Sequence, residues 1–221
     1  MRAEGIHKHY DGVQALRGAD FSLAPGEVHA LMGENGAGKS TLAKIIAGSV
    51  RADSGQISIN NKPVEIRSPQ DAQRLGIGMI YQELDLFPSL TVAENIDIAR
   101  PANAPRFLDQ VGLRVDPKTV LGSLRAGEMQ LVAIARALAS NARILFMDEP
   151  TSSLFDDAVE RLFQLIADLK QRGVAIAYVS HRMDEIFRIC DRATVLRDGV
   201  TWLASPSICA IASACAVPAS T

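Results

Sequence analysis

Four short apolar runs, each ending in side chains able to do chemistry, constrain what this 221-residue chain can fold into. Val28–Met32 leads into GENGAGKST, Ile77–Tyr81 into Gln82, Ile144–Met147 into Asp148 and Glu149, and Val174–Val179 into Ser180 and His181. Continuous apolar stretches without alternation suit parallel strands covered on both faces. In an open α/β sheet, ligands sit beyond the carboxyl ends of such strands, which is where all four runs deliver polar groups. The predicted fold class is α/β with a mostly parallel sheet.

Helices fill the intervals. Thr41–Ala47 reads as one, stopped by Gly48. Asp157 is a candidate cap for another, with Val159, Leu162, Phe163, Ile166 and Leu169 on one face and Gly173 at its end. Met129–Ala139 is apolar almost all round apart from Gln130 and Arg136, which predicts deep burial. Ile57–Asn60, an Asn-Lys-Pro turn and Val64–Ile66 read as a hairpin and imply an antiparallel layer beside the main sheet. Residues 84–123, with prolines at 88, 101, 105 and 117, read as an irregular inserted subdomain.

Charge and cysteine usage exclude several classes. The net charge is −2 and no basic stripe is present, which argues against a nucleic-acid partner. Cys190, Cys209 and Cys215 show no CxxC or metal-ligand spacing, so a reducing compartment without a disulfide frame is expected. The start, MRAEGIHKHY, lacks the apolar core of a secretory signal. Residues 200–221 carry no charge, but they are rich in Ala and Ser and broken by Pro206 and Pro218, too weakly apolar for a membrane span.

GENGAGKS (33–40) fits G-x-x-x-x-G-K-[ST] between a predicted strand and a predicted helix. In such a loop Gly33, Glu34, Asn35, Gly36, Ala37 and Gly38 wrap phosphates with backbone N–H groups. Lys39 supplies a point charge, and Ser40, with Thr41 beside it, offers a hydroxyl to Mg²⁺. Asp148 at a strand end near phosphates can hold Mg²⁺, and Glu149 can orient or deprotonate a water. Asp-Glu-Pro can equally just punctuate a strand. Gln82 could reach Mg²⁺ or the attacking water, His181 the γ-phosphate, and Tyr10 could stack on an adenine ring; each is a weak signal alone. Arg125-Ala126-Gly127-Glu128 opens the buried helix. Free N–H groups and a partial positive charge make such a start an anion site, although an ordinary helix start reads the same way.

In order along the chain, GENGAGKST, IYQEL, LRAGEMQLVAIARAL, ILFMDEPTSSL and VSHRMDEI resemble the Walker A, Q-loop, signature, Walker B with D-loop, and H-loop of ATP-binding cassette (ABC) ATPases. GEVHALMGENGAGKSTLAKIIAG and YVSHRMDEIF look most like the amino-terminal half of monosaccharide-import ATPases of the ribose, galactose and xylose type. The resemblance implies a P-loop NTPase domain over residues 1–199, with a RecA-like core, an antiparallel β layer and a shortened helical subdomain at 84–125. It implies ATP and Mg²⁺ as cofactors and ATP hydrolysis as the reaction. Arg125 and Gly127 would then cap ATP held by a second ABC cassette in trans. Implied partners are membrane permease subunits docked near the Q-loop and, indirectly, a periplasmic sugar-binding protein. The implied location is peripheral, at the cytoplasmic face of the inner membrane.

Three departures stand out against that family. Arg125 replaces a serine of the signature. Only 42 residues separate Gln82 from Leu124, about a helix short of the usual interval. Members of the sugar type carry two cassettes, where one is read here. After Arg197-Asp198-Gly199 the composition turns to Ala, Ser, Cys and Pro, where a strand and charged residues are expected, so 200–221 reads as a frameshifted, truncated or disordered tail. The alternative function is a degenerate cassette that binds ATP without productive coupling.

Overall fold

The computed structural model describes residues 1–205. β1 (Arg2–Tyr10), β2 (Val13–Ser22) and β3 (Val28–Met32) lead to α1 (Lys39–Ile46), then to β4 (Ser54–Ile59), β5 (Lys62–Val64), α2 (Pro69–Arg74) and β6 (Ile77–Ile80). α3 (Val92–Ile96), α4 (Ala104–Gln110) and α5 (Ala126–Ala139) follow. The chain then runs through β7 (Ile144–Asp148), α6 (Asp156–Gln171), β8 (Ala175–Val179), α7 (Met183–Ile189), β9 (Arg192–Arg197) and β10 (Val200–Ser205).

The larger sheet has the order β10-β9-β3-β8-β7-β6, so the four runs singled out by sequence are consecutive, mutually parallel neighbours. Their carboxyl ends therefore share one edge. Alternate residues of each strand serve opposite cores: Leu145 and Met147 face the α5–α6 side, while Ile144 and Phe146 face α1 and the second sheet. Both faces are covered, which is why these strands show no polar alternation. Burying each such side chain contributes about 1.5–3 kcal/mol.

The smaller sheet is antiparallel, in the order β2-β1-β4-β5. It packs over α1 through Ile6, Leu16 and Ile57, opposite Leu42 and Ile46. The expected hairpin is β4–β5, but it turns at Asn60-Asn61, and Lys62 and Pro63, expected in the turn, already pair within β5. β1 and β2 escape a periodicity reading because their pairing is interrupted by register shifts, one of them between Ala3 and Ile6, and the period of two is lost.

Several boundaries differ from expectation. α6 begins at Asp156 with Phe155 at its N-cap, so Asp157 lies inside the first turn, where its carboxylate complements the helix dipole. α5 starts three residues before Met129, and Gln130 is buried with its apolar neighbours. The inserted region is less irregular than its prolines suggest. Thr91 and Glu94 form a capping box for α3, with Glu94 N–H donating to Thr91 Oγ1 at 3.2 Å and Thr91 N–H to Glu94 Oε2 at 2.8 Å. α3 and α4 both pack on α5.

At residue 200 the sheet continues. β10 pairs with β9, Val200 opposite Arg197, and Thr201 Oγ1 binds both the N–H and the C=O of Asp20 at 2.8 and 2.7 Å. A strand thus follows Gly199 within the uncharged segment. Residues 206–221, with Cys209, Cys215 and the remainder of the proposed tail, lie outside the described residues. Among the described residues no helix is long and apolar enough to cross a membrane.

Candidate functional site: a phosphate loop and two strand-end carboxylates

The loop between β3 and α1 is shaped by close packing. A Cβ on Gly33 would stand 2.3 Å from the Leu196 carbonyl oxygen, and one on Gly38 would stand 2.7 Å from that of Ala15. Gly38 also takes φ 102° as the N-cap of α1, a left-handed conformation open to glycine, and no side chain caps the helix. The first-turn N–H groups of α1 therefore point into the loop without intrahelical acceptors. Lys39 folds back over the same space: its Nζ donates to Gly33 O at 2.8 Å and Glu34 O at 3.0 Å. Glu34, Asn35 and Gly36 form the exposed rim, Ala37 is buried, and Thr41 is half-buried in α1.

Asp148 ends β7 and is buried. Ser40 Oγ donates to its Oδ1 over 3.4 Å. Burial raises the Asp148 pKa above the ordinary carboxylate range; the Ser40 hydrogen bond opposes the shift and the Glu149 carboxylate adds to it. Glu149 takes φ 46°, uncommon for a residue with a Cβ, and its N–H donates to Val179 O at 2.9 Å. That turn aims its carboxylate at the neighbouring strand end, where His181 Nδ1 lies 3.0 Å from Glu149 Oε1. Lys39, Ser40, Asp148, Glu149 and His181 thus stand together at one edge of the sheet.

Other candidates stand apart. Gln82 lies on an exposed turn after β6, and no hydrogen bond or ion pair joins it to Ser40 or Asp148 among the described residues. Tyr10 ends β1, 42% exposed, with the Lys8 ammonium 5.4 Å from its ring centroid. Arg125 is the exposed N-cap of α5. Its N–H donates to Glu128 Oε2 at 2.9 Å, and its guanidinium makes no ion pair among the described residues. Gly127 packs hard against α6, where an added Cβ would meet Ala158 Cβ at 2.8 Å. A cavity of about 620 Å³ opens beside Arg125 and Gly127, between α4, α5 and α6.

The residues present suit a nucleoside triphosphate with a hard divalent ion. An uncapped helix start and a backbone cradle receive phosphate oxygens. A hydroxyl paired with one carboxylate suits Mg²⁺, which keeps several waters of its own. Among the described residues no group of three His, Cys, Asp or Glu forms a protein cage for a metal.

Residues 16–152 match the ABC transporter family. The chain belongs to that family. As an ABC cassette it is 47% identical over 212 residues to a ribose import ATP-binding protein of Rubrobacter xylanophilus, covering 90% of this chain and 42% of that protein. It is 48% identical over 209 residues to the ribose import ATP-binding protein of Chromobacterium violaceum, covering 88% and 42% respectively. A putative ribose/galactose/methyl galactoside import ATP-binding protein of Burkholderia ambifaria is 49% identical over 212 residues, with 90% and 41% covered. The cassette thus spans about two-fifths of these relatives. Its fold is that of solved ABC cassettes. A nucleotide-free one superposes with a TM-score of 0.91 at 26% identity over 98% of this chain and 95% of that one. The ADP conformation of another gives 0.89 at 27% identity over 98% and 94%.

Sequence reasoning missed one group behind this edge. Glu185 of α7, Thr151 and Tyr178 form a buried hydrogen-bonded cluster with Ser180. Nothing in the sequence marks Glu185 as the one that turns inward among Asp184, Glu185 and Arg188, the charged residues of α7.

Proposed function

We propose that this cassette binds and hydrolyses ATP to drive a monosaccharide importer. The observation that carries the reading is the meeting of Lys39, the Ser40–Asp148 pair and the Glu149–His181 pair at one strand edge. The identity to ribose import ATP-binding proteins supports the cargo class.

In this reading the loop amides of residues 33–41 and the Lys39 ammonium hold the β- and γ-phosphates. The ammonium exchanges two backbone carbonyls for phosphate oxygens. Ser40 and Asp148, with Gln82, would hold Mg²⁺, which supplies neutralising charge to the phosphates. Glu149 orients a water and accepts its proton as the oxygen bonds to the γ-phosphorus and the bond to the β-phosphate oxygen breaks, leaving ADP and phosphate. With a proton on each ring nitrogen, His181 donates from Nδ1 to Glu149 and from Nε2 to a phosphate oxygen. Tyr10 stacks on the base.

Arg125 and Gly127 complete the site of a second cassette in trans. A dimeric post-hydrolysis cassette with ADP and phosphate, similar at a TM-score of 0.80 and 26% identity over 92% of this chain and 97% of that one, supports pairing. Permease subunits, a periplasmic sugar-binding protein upstream of them and a peripheral cytoplasmic position complete the reading; nucleic acid has no part in it. The non-coupling alternative draws on Arg125 and the short 84–125 region.

Glu149→Gln tests the choice. A working cassette loses about 10²–10⁴-fold in turnover and accumulates ATP-bound pairs in gel filtration. A wild-type chain with no magnesium-dependent turnover to lose, or a variant that keeps it, overturns the proposal.

A further inference from the structure

The geometry points to Glu185 as a positioning residue: one buried carboxylate that clasps, from behind, the two strand-end turns carrying Glu149 and His181. The inference rests on the hydrolytic reading above.

Glu185 is 2% exposed. Its Oε1 accepts from Thr151 Oγ1 at 2.8 Å and pairs with Arg182 Nη1 at 2.8 Å. Its Oε2 accepts from the Tyr178 hydroxyl at 2.7 Å and from Ser180 Oγ at 3.3 Å. A carboxylate has about four acceptor positions, and these donors fill them. Burying a charge is costly unless it is paired and hydrogen-bonded, so a carboxylate belongs here only if both oxygens are used.

The donors come from the right places. Thr151 lies two residues beyond Glu149, and Ser180 immediately precedes His181. Ser180 Oγ in turn accepts the Arg182 N–H at 3.1 Å, which fixes the bend on the far side of His181. Tyr178, on β8 between the two turns, is fully buried; burial and the Glu185 carboxylate push its phenol far above the ordinary value, so it stays a donor.

The front of the site needs this support. The His181 side chain is 62% exposed, and an ion pair or hydrogen bond with one open partner contributes at most about 1 kcal/mol. Glu149 also holds φ 46°, which persists only where surrounding structure over-determines it. The 3.0 Å contact is therefore set by where the two turns are pinned, and beside the Glu149 N–H bond to Val179 O, Glu185 is the side chain that pins both. α7 is itself anchored, since Arg188 makes two bonds of 2.6 Å to Glu160 of α6.

The test compares Glu185→Gln, Thr151→Val and Thr151→Ser in the full chain. Three readouts apply: ATP turnover, the KM for ATP, and the His181 ring tautomer by ¹⁵N NMR at a pH where the ring is neutral. Glu185→Gln turns an amide donor toward hydroxyl donors, and Thr151→Val removes one donor at constant shape. Both should lower kcat at least tenfold, about 1.4 kcal/mol, with KM within about twofold. Both should also erode the Nδ1–H tautomer that Glu149 selects in the wild type. Thr151→Ser, which keeps the hydroxyl, should restore both readouts. Should Glu185→Gln fail to fold, the two Thr151 variants decide the matter. An unchanged tautomer in Thr151→Val, whatever happens to kcat, KM or Tm, overturns the assignment. A wild-type chain without ATP turnover would sink the hydrolytic reading instead, and the tautomer would still settle the clasp.

Discussion

Ser40 Oγ reaches Asp148 Oδ1 over 3.4 Å and ties the start of α1 to the end of β7, 108 residues away. The bond is long, and the carboxyl behind it is held above its ordinary pKa of 3.8 by burial. The folded chain therefore binds that proton more tightly than the unfolded one. Between 3.8 and the raised value, stability without nucleotide falls as pH rises. Asp148→Asn cannot ionise, so urea melts should show it more stable than wild type at about pH 7.5, with the gap closing below the unfolded value. The same variant should lose the stabilisation that Mg²⁺ and ATP together give the wild type.

Lys39→Ala removes the only side-chain cation bonded to the Gly33 and Glu34 carbonyls among the described residues. Equilibrium dialysis should show affinity for Mg-ATP reduced roughly 10- to 100-fold, the equivalent of one charge-assisted hydrogen bond of about 1.5–3 kcal/mol. Unchanged affinity would remove the loop from the site.

Gly127 touches α6 so closely that Gly127→Ala must push Ala158 back. Denaturant unfolding should show a loss of about 1–3 kcal/mol. Adding Ala158→Gly opens the space, and the double variant should lose less than the two single losses summed.

Arg125 is the exposed N-cap of α5 and makes no side-chain ion pair among the described residues, so Arg125→Ser, which completes a capping box with Glu128, should raise stability by about 0.5–1 kcal/mol in denaturant unfolding. If the guanidinium obstructs the paired site, the same change should raise steady-state turnover by about tenfold. Turnover that falls instead would make Arg125 a contributor to hydrolysis.

The parallel core was legible because β3, β7 and β8 are buried along their whole length and write that burial as unbroken apolar runs. The phosphate loop was legible because glycine is the residue its packing admits at positions 33 and 38. β1 was not, since its register shifts scramble the alternation a strand normally shows. α3 spans only Val92–Ile96, too short for a helical period; its Thr91–Glu94 box was the readable signal. Glu185 was hidden for another reason. In a helix rich in charge, sequence offers no way to tell the one carboxylate that turns inward from those that face water.

The phosphate loop is wedged against the turn joining β9 to β10: Gly199 N–H donates to Ala37 O at 3.2 Å, and Leu196 O crowds Gly33. Its curvature is therefore settled when the chain folds and needs no rearrangement on contact with a ligand. Arrival of a triphosphate would ask little more than the swing of one ammonium group. Association should accordingly be fast and carry a small ordering entropy, and amide exchange at Ala37 and Gly199, whose N–H groups donate to Glu34 O and Ala37 O, should already be slow before any nucleotide is added.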